Sequence, residues 1–218
     1  MKQRDVFLES EGDAWFRRNT GQSDASYNPD SDVLLAEICA IAPLILTQSP
    51  PRILEIGCGA GMRLSWLTEN RNFQSFGIDP SERAVEAARV RGIDVRRGTA
   101  DQLPFDDRSF DIVVFGFCLY LCDREDLFRI AAEAHRVLKN SGWLLLLDFY
   151  DKAHSARAYH HRAGLFSHKM DYTSLFTWHP DYTVYSHKLR HHSAGGYTDD
   201  PQEWVATSVV RKKPAQVA

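Results

Sequence analysis

The stretch Arg52-Ile53-Leu54-Glu55-Ile56-Gly57-Cys58-Gly59-Ala60-Gly61 decides the fold. Its apolar run is short enough for a buried strand, and Met62, Leu64 and Leu67 just beyond it suit a helix. Three glycines at alternate positions fall on the junction. Glycine at a strand-to-helix turn permits left-handed backbone and close approach to a ligand. The helix behind it directs free N–H groups and a positive dipole end at the turn. Together they make a site for a nucleotide or a nucleotide-like cofactor.

The spacing narrows the class. A dinucleotide-binding loop reads G-x-G-x-x-G, whereas here the third glycine is Gly61 and Met62 takes its place. No Gly-Lys-Ser/Thr follows, which excludes a P-loop. Phe73-Gln74-Ser75-Phe76-Gly77-Ile78-Asp79 reads as a second strand ending in a carboxylate about twenty residues on, where a ribose is held through its hydroxyls. Asp79 can also cap the helix expected over Ser81–Val90. Ile93–Arg96 reads as a third strand and Asp111–Phe115 as a fourth, buried on both sides. A helix over Arg124–Lys139 and a fifth strand over Trp143–Leu147 follow. This alternation predicts a doubly wound parallel sheet. Tyr182–Leu189 and Trp204–Val210 are β-prone, with Gly195-Gly196 between them, and predict an antiparallel pair.

Two segments carry a family resemblance. Glu55-x-Gly57-x-Gly59-x-Gly61 resembles the first motif of the class I S-adenosylmethionine (SAM)-dependent methyltransferases. Gly98-Thr99-Ala100-Asp101-Gln102-Leu103-Pro104-Phe105, with Ser109-Phe110-Asp111, resembles that family's adenine segment. The likeness extends to small-molecule members of the type that serve ubiquinone and menaquinone biosynthesis. It is specific over about residues 52–148 and implies a Rossmann-like seven-stranded α/β sheet, mostly parallel, with an antiparallel C-terminal pair and helices on both faces. The cofactor it implies is SAM, with S-adenosylhomocysteine as product. Glu55 would help hold the methionine end, Gly57, Cys58, Gly59 and Gly61 would form the turn, and Asp79 would take the ribose. Pro80 would pack on the adenine beside Thr99, Ala100 and Asp101, with either Thr99 or Asp101 receiving the amino group. Phe115, Gly116 and Tyr120 would line the exit of the fourth strand, Tyr120 standing where many relatives have His.

The 218 residues suit one domain: a helical N-terminal lid over 1–47, a SAM-binding core over 48–150 and an acceptor-side segment over 151–218. In the lid, Trp15 and Phe16 either cover the cofactor or patch the core. Asn28–Leu46 reads as a helix with Asp30, Ser31 and Asp32 as candidate caps. A net charge of −3 gives no reason to expect nucleic acid, and Arg211-Lys212-Lys213 is too short a basic tract for it. The chain shows neither a signal-like apolar run at its start nor about 18 consecutive apolar residues, so a cytoplasmic protein without a membrane span is expected. Cys39, Cys58, Cys118 and Cys122 have no zinc-site spacing and are expected as reduced thiols, with no metal.

Eight of the nine histidines lie between His154 and His192, in the segment that builds the acceptor side in the resembled family. Histidine titrates near working pH and suits removal of an acceptor proton. His160 and His161 are the candidate bases, with Tyr150 and Asp148 as positioning groups. The mixture of His, Arg, Lys, Asp and Tyr over 159–172 points to a small polar methyl acceptor, such as a sugar derivative or biosynthetic intermediate, methylated on O or N. The competing readings are a SAM-binding partner or regulatory module without catalysis, a protein or RNA methyltransferase, and an NAD-dependent oxidoreductase, which Met62 disfavours. A homodimer is compatible with the first reading.

Overall fold

The computed structural model describes residues 2–20, 27–47 and 49–214. Residues 1 and 21–26 of the expected lid, 48 at the start of the expected core and 215–218 of the acceptor-side segment lie outside the described residues.

Helical backbone runs through α1 (Gln3–Val6), a π-helical turn at Phe7–Glu11 and α2 (Gly12–Thr20). Helix α3 (Val33–Ile41) starts at Asp32, whose carboxylate accepts the Leu35 N–H at 3.0 Å. It stops earlier than the expected Leu46, because Pro43 lacks an N–H and tightens the chain into a 3₁₀ turn at Ala42–Leu44. The core then alternates: β1 (Arg52–Ile56), α4 (Met62–Arg71), β2 (Gln74–Asp79), α5 (Glu82–Val90), β3 (Asp94–Arg97) and β4 (Phe110–Gly116). Next come α6 (Leu127–Val137) and β5 (Leu138–Phe149). Strand β5 begins five residues before the expected Trp143, because Leu138 already pairs with Phe110 across an irregularity in the register.

The sheet order is β3-β2-β1-β4-β5-β9-β8, where β8 is Tyr182–His191 and β9 is Trp204–Lys212. Strands β1 to β5 pair in parallel and β9 runs antiparallel to both β5 and β8. The expected seven-stranded architecture is present. A small antiparallel hairpin of β6 (Ser155–Ala158) and β7 (Phe166–Lys169), followed by the short α7 (Ser174–Thr177), was not expected.

The apolar runs of the central strands serve two layers. Leu54, Val113, Phe115, Leu144 and Leu146 pack on the α6 side, while Ile53, Ile112, Val114, Leu145 and Leu147 pack against α3, α4 and α5. Successive side chains point to opposite faces, so a strand covered on both sides reads as continuously apolar. No helix among the described residues is long and apolar enough to cross a membrane.

Candidate functional site

A cleft opens at the carboxyl ends of β1, β2 and β4. Gly57, Gly59 and Gly61 all have positive φ, at 76°, 54° and 68°. The Gly57 and Cys58 N–H groups both donate to the Ile78 carbonyl, at 2.8 and 3.3 Å, and fix the turn against β2. A Cβ at Gly57 would lie 3.1 Å from Cys118 Cβ, whereas one at Gly59 would meet nothing within 4 Å. Space therefore matters at Gly57, and conformation alone at Gly59.

Asp79 ends β2 at the cleft wall. Its Oδ2 accepts the Gly59 N–H and its Oδ1 the Ser81 N–H, each at 2.9 Å. Burial pushes this carboxyl up to about 6, against the pull of those two donors. Each oxygen keeps acceptor capacity for a further hydroxyl. The cap of α5 is Ser81, which accepts the Ala84 N–H, so Asp79 is left to the cleft.

Glu55 lies behind the glycine turn, buried and paired with Arg63, which also donates to Asp32 Oδ2 at 2.9 Å. Burial drives the Glu55 carboxyl upward, and the guanidinium opposes it. The pair lies directly behind Gly116 of the cleft wall: a Cβ there would sit 3.2 Å from Leu34 Cδ1, 3.4 Å from Glu55 Oε1 and 3.6 Å from Arg63 Nη1. Arg63 was missed from the sequence. A cation in the first turn of a helix opposes the dipole unless acids compensate it, and that was the available signal.

At the other end, Pro80, Gly98, Thr99, Ala100 and Asp101 line the cleft. The Thr99 hydroxyl donates to Asp101 Oδ1 at 2.7 Å, and Arg4 pairs with Asp101 Oδ2. Burial works against ionisation of Asp101, but Thr99 and Arg4 hold its carboxyl below the ordinary value. Thr99 gives its proton to Asp101 but keeps acceptor lone pairs, so both side chains present acceptors at this end of the cleft.

Phe115, Cys58 and Tyr120, expected at the cofactor site, stand off the cleft lining. Phe115 is fully buried in the core, 6.5 Å from Phe176, because alternate strand positions face opposite layers. Phe117, two positions on, takes its place with a φ of 49° that turns it into the cleft. Cys58 is also buried, its sulfur against Gly77 of β2. Tyr120 stands behind the wall; its hydroxyl receives the Trp15 indole N–H at 3.3 Å, and its backbone N–H donates to Asp148 Oδ2 at 3.2 Å.

The N-terminal segment closes the cleft with Arg4, Phe7, Gly12 and Trp15. The N–H groups of Gln3 and Arg4 donate to the two Asp123 oxygens at 2.9 and 3.0 Å. Asp13 accepts the Ser81 hydroxyl at 2.6 Å. Buried Glu11 pairs with Arg18, and both meet the Tyr159 hydroxyl of the β6–β7 hairpin. With this cover the cleft holds about 830 Å³ of empty space, open solvent at its mouth included.

The three candidate catalytic residues do not reach it. Tyr159 and Leu165 are buried against Val6 and Phe7, which leaves His160 and His161 on the exposed turn between them. Their rings lie 3.8 Å apart, away from the cleft. Tyr150 packs between His187 and Trp204, at 5.3 and 6.1 Å. Asp148 is buried, and its carboxyl is pushed up to about 7 by burial, despite backbone donors that include Tyr120 and Phe149. Among the described residues no group of three or more acids, histidines or cysteines is placed to hold a metal.

Comparison with known proteins agrees with this geometry. A family model described as a methyltransferase domain matches residues 54–146. An uncharacterized protein of Mycobacterium tuberculosis is 36% identical over 135 residues, covering 62% of this chain and 41% of that one. The tRNA N(3)-methylcytidine methyltransferase Mettl2 of Drosophila melanogaster is 32% identical over 151 residues, covering 61% and 46%. The chain thus spans less than half the length of these relatives. Among solved structures, the 1,6-didemethyltoxoflavin-N1-methyltransferase of Burkholderia thailandensis, with bound 1,6-didemethyltoxoflavin and S-adenosylhomocysteine, superposes with a TM-score of 0.66 at 18% identity, covering 96% of this chain and 87% of that one. Residues 54–146 thus match the methyltransferase-domain family, and the fold of the chain is that of SAM-dependent methyltransferases of known structure. The cofactor of the matched domain is SAM.

Proposed function

We propose that the chain transfers the methyl group of SAM to an oxygen or nitrogen of a small molecule, as one domain made of lid, cofactor core and acceptor-side segment. The observation that carries this reading is the cleft closed by Phe7 and Trp15 over the Asp79 and Asp101 walls. When bound, SAM supplies a methyl group already activated by its sulfonium charge. The chain's own work is then to orient and to exclude water. Asp79 offers both oxygens to a ribose, Asp101 offers an acceptor to the adenine edge, and Gly116 leaves room beside the Glu55–Arg63 pair for an amino-acid end. Trp15 and Phe117 close the opposite side.

A macromolecular acceptor has support from the relative that methylates tRNA, but a lid pinned on both flanks favours a small one. A cytoplasmic location and a homodimer belong to the same proposal. The experiment is thermal unfolding with S-adenosylhomocysteine or NAD, followed by transfer of labelled methyl from SAM into a cell extract separated by size. A midpoint raised by S-adenosylhomocysteine alone, with label in the small-molecule fraction, is expected. Label confined to protein or RNA overturns the acceptor class, and tight cofactor binding without any label favours a non-catalytic SAM-binding module.

A further inference from the structure

The wall beyond Phe117 is made of rings. Phe117 lines the cofactor cleft, and its ring centroid lies 5.4 Å from that of Phe149 at a 56° tilt. His192, from the turn between β8 and β9, lies 4.9 Å from Phe149 and 6.0 Å from Phe117. Tyr120 meets the edge of Phe149 at 5.0 Å and is tied to Trp15 of the lid. Four separate segments of the chain thus converge on one aromatic surface that meets the cleft at Phe117 and Trp15. Phe117 and Phe149 rest on the core, but Phe149 is only half-buried and His192 is exposed, so solvent reaches this surface.

Its cost is visible in the backbone. Phe117 is a bulky residue in the left-handed region, a conformation that persists only where surrounding structure imposes it and that clusters at ligand sites. Its N–H is held by the Leu147 carbonyl at 2.7 Å. A core ring needs no such conformation, as Phe115 two residues earlier shows.

Aromatic walls bind flat rings by offset stacking and cations by attraction to the ring face. Charge separates the two cases. The ammonium of Lys169 already lies over Phe149, 5.4 Å from its centroid. It occupies that face and repels a second cation. Exposed as it is, His192 loses part of its hydration to the rings around it, which lowers its tendency to carry a proton.

We propose that the methyl acceptor is a planar aromatic or heteroaromatic molecule, neutral or anionic, seated against Phe117, Phe149 and His192. This rests on the methyl-transfer reading and narrows its acceptor from polar small molecules in general to flat rings bearing a hydroxyl or a ring nitrogen.

The test uses the full chain with labelled SAM and two acceptor sets: catechol, 8-hydroxyquinoline and benzimidazole against glucose, glycerol and spermidine. Binding of each to the S-adenosylhomocysteine complex is read in parallel by the unfolding midpoint. Binding and methylation within the aromatic set alone are expected. Phe149→Leu, which keeps apolar bulk but removes the ring, is expected to raise the acceptor KM by about two- to tenfold with S-adenosylhomocysteine affinity unchanged, and Phe149→Tyr to restore it. Glucose, glycerol or spermidine used as well as the aromatics overturns the proposal. So does failure of every aromatic probe to bind a complex that does hold S-adenosylhomocysteine, or an unchanged KM in Phe149→Leu. If S-adenosylhomocysteine itself does not bind, the methyl-transfer reading is what has failed.

Discussion

The two walls of the cleft are built by different means. The core wall is backbone: three left-handed glycines and N–H groups aimed at Ile78 and Asp79, all from a stretch of about thirty residues. The lid wall is side chains from remote places: Arg4 on Asp101, Gln3 on the Phe166 and Leu121 carbonyls, Glu11 with Arg18 and Tyr159. Backbone geometry needs glycine at fixed spacing, so it leaves a signature in a short motif. A wall assembled from side-chain contacts between residues 97 to 163 positions apart leaves none, since a charged residue on a helix reads equally well as solvated.

The largest effect should come from the core wall. Asp79→Asn keeps the shape but removes the charge and half the acceptor capacity. It is expected to weaken S-adenosylhomocysteine binding about 100-fold, as the loss of two hydrogen bonds to a charged group implies, measured by calorimetry. Because ionised Asp79 is the better acceptor and its carboxyl titrates near 6, affinity in the native protein should fall as pH drops below about 6. A flat profile from pH 5 to 8 would remove Asp79 from the ribose site.

The lid wall should yield a smaller and more local change. Glu11→Ala strands Arg18 and the Tyr159 hydroxyl. Amide hydrogen exchange over residues 3–18 is expected to accelerate about 30-fold, equivalent to about 2 kcal/mol of local stability, while exchange in β1 and β4 stays unchanged. Equal acceleration in both regions would show that lid and core open as one unit.

Asp148 sharpens the comparison through pH. Its folded-state carboxyl is raised from 3.8 to about 7 by burial, so the fold favours the protonated form and ionisation weakens it. That contribution is whole below the unfolded value near 4 and is lost as pH rises through 7. The stability of the wild type relative to Asp148→Asn should therefore decline between pH 4 and 7, by at most about 1.4 kcal/mol per pH unit. A difference independent of pH, read by denaturant titration, would count against the assignment.

The smallest effect belongs to the residues the sequence favoured as bases. Replacing both His160 and His161 by Ala should leave stability within about 0.5 kcal/mol and turnover unchanged at neutral pH. A large loss of turnover would bring the β6–β7 turn back into the chemistry.

The same division explains what could be read in advance. Residues 52–149 showed their strands through apolar runs buried on two faces, and their turn through Gly57, Gly59 and Gly61. Phe115 was misplaced by two positions, since its neighbour's left-handed φ has no sequence signal when the residue is Phe. The histidine-rich segment was read as a pocket because its composition is reactive. Tyr159 and Leu165, the apolar pair around it, decided instead that His160 and His161 face solvent. Arg4 and Arg63, the cations that meet the acids of the cleft, were not singled out, because pairing is a property of distance.

Gln3 and Arg4 are adjacent in the chain, yet Gln3 fastens the edge of β7 on the acceptor side and Arg4 fastens Asp101 on the cofactor side. One peptide unit is thus shared by two doors. Under the proposed methyl transfer, departure of the spent cofactor and departure of the methylated product are expected to proceed at a common rate, set by the single latch at Gln3 and Arg4.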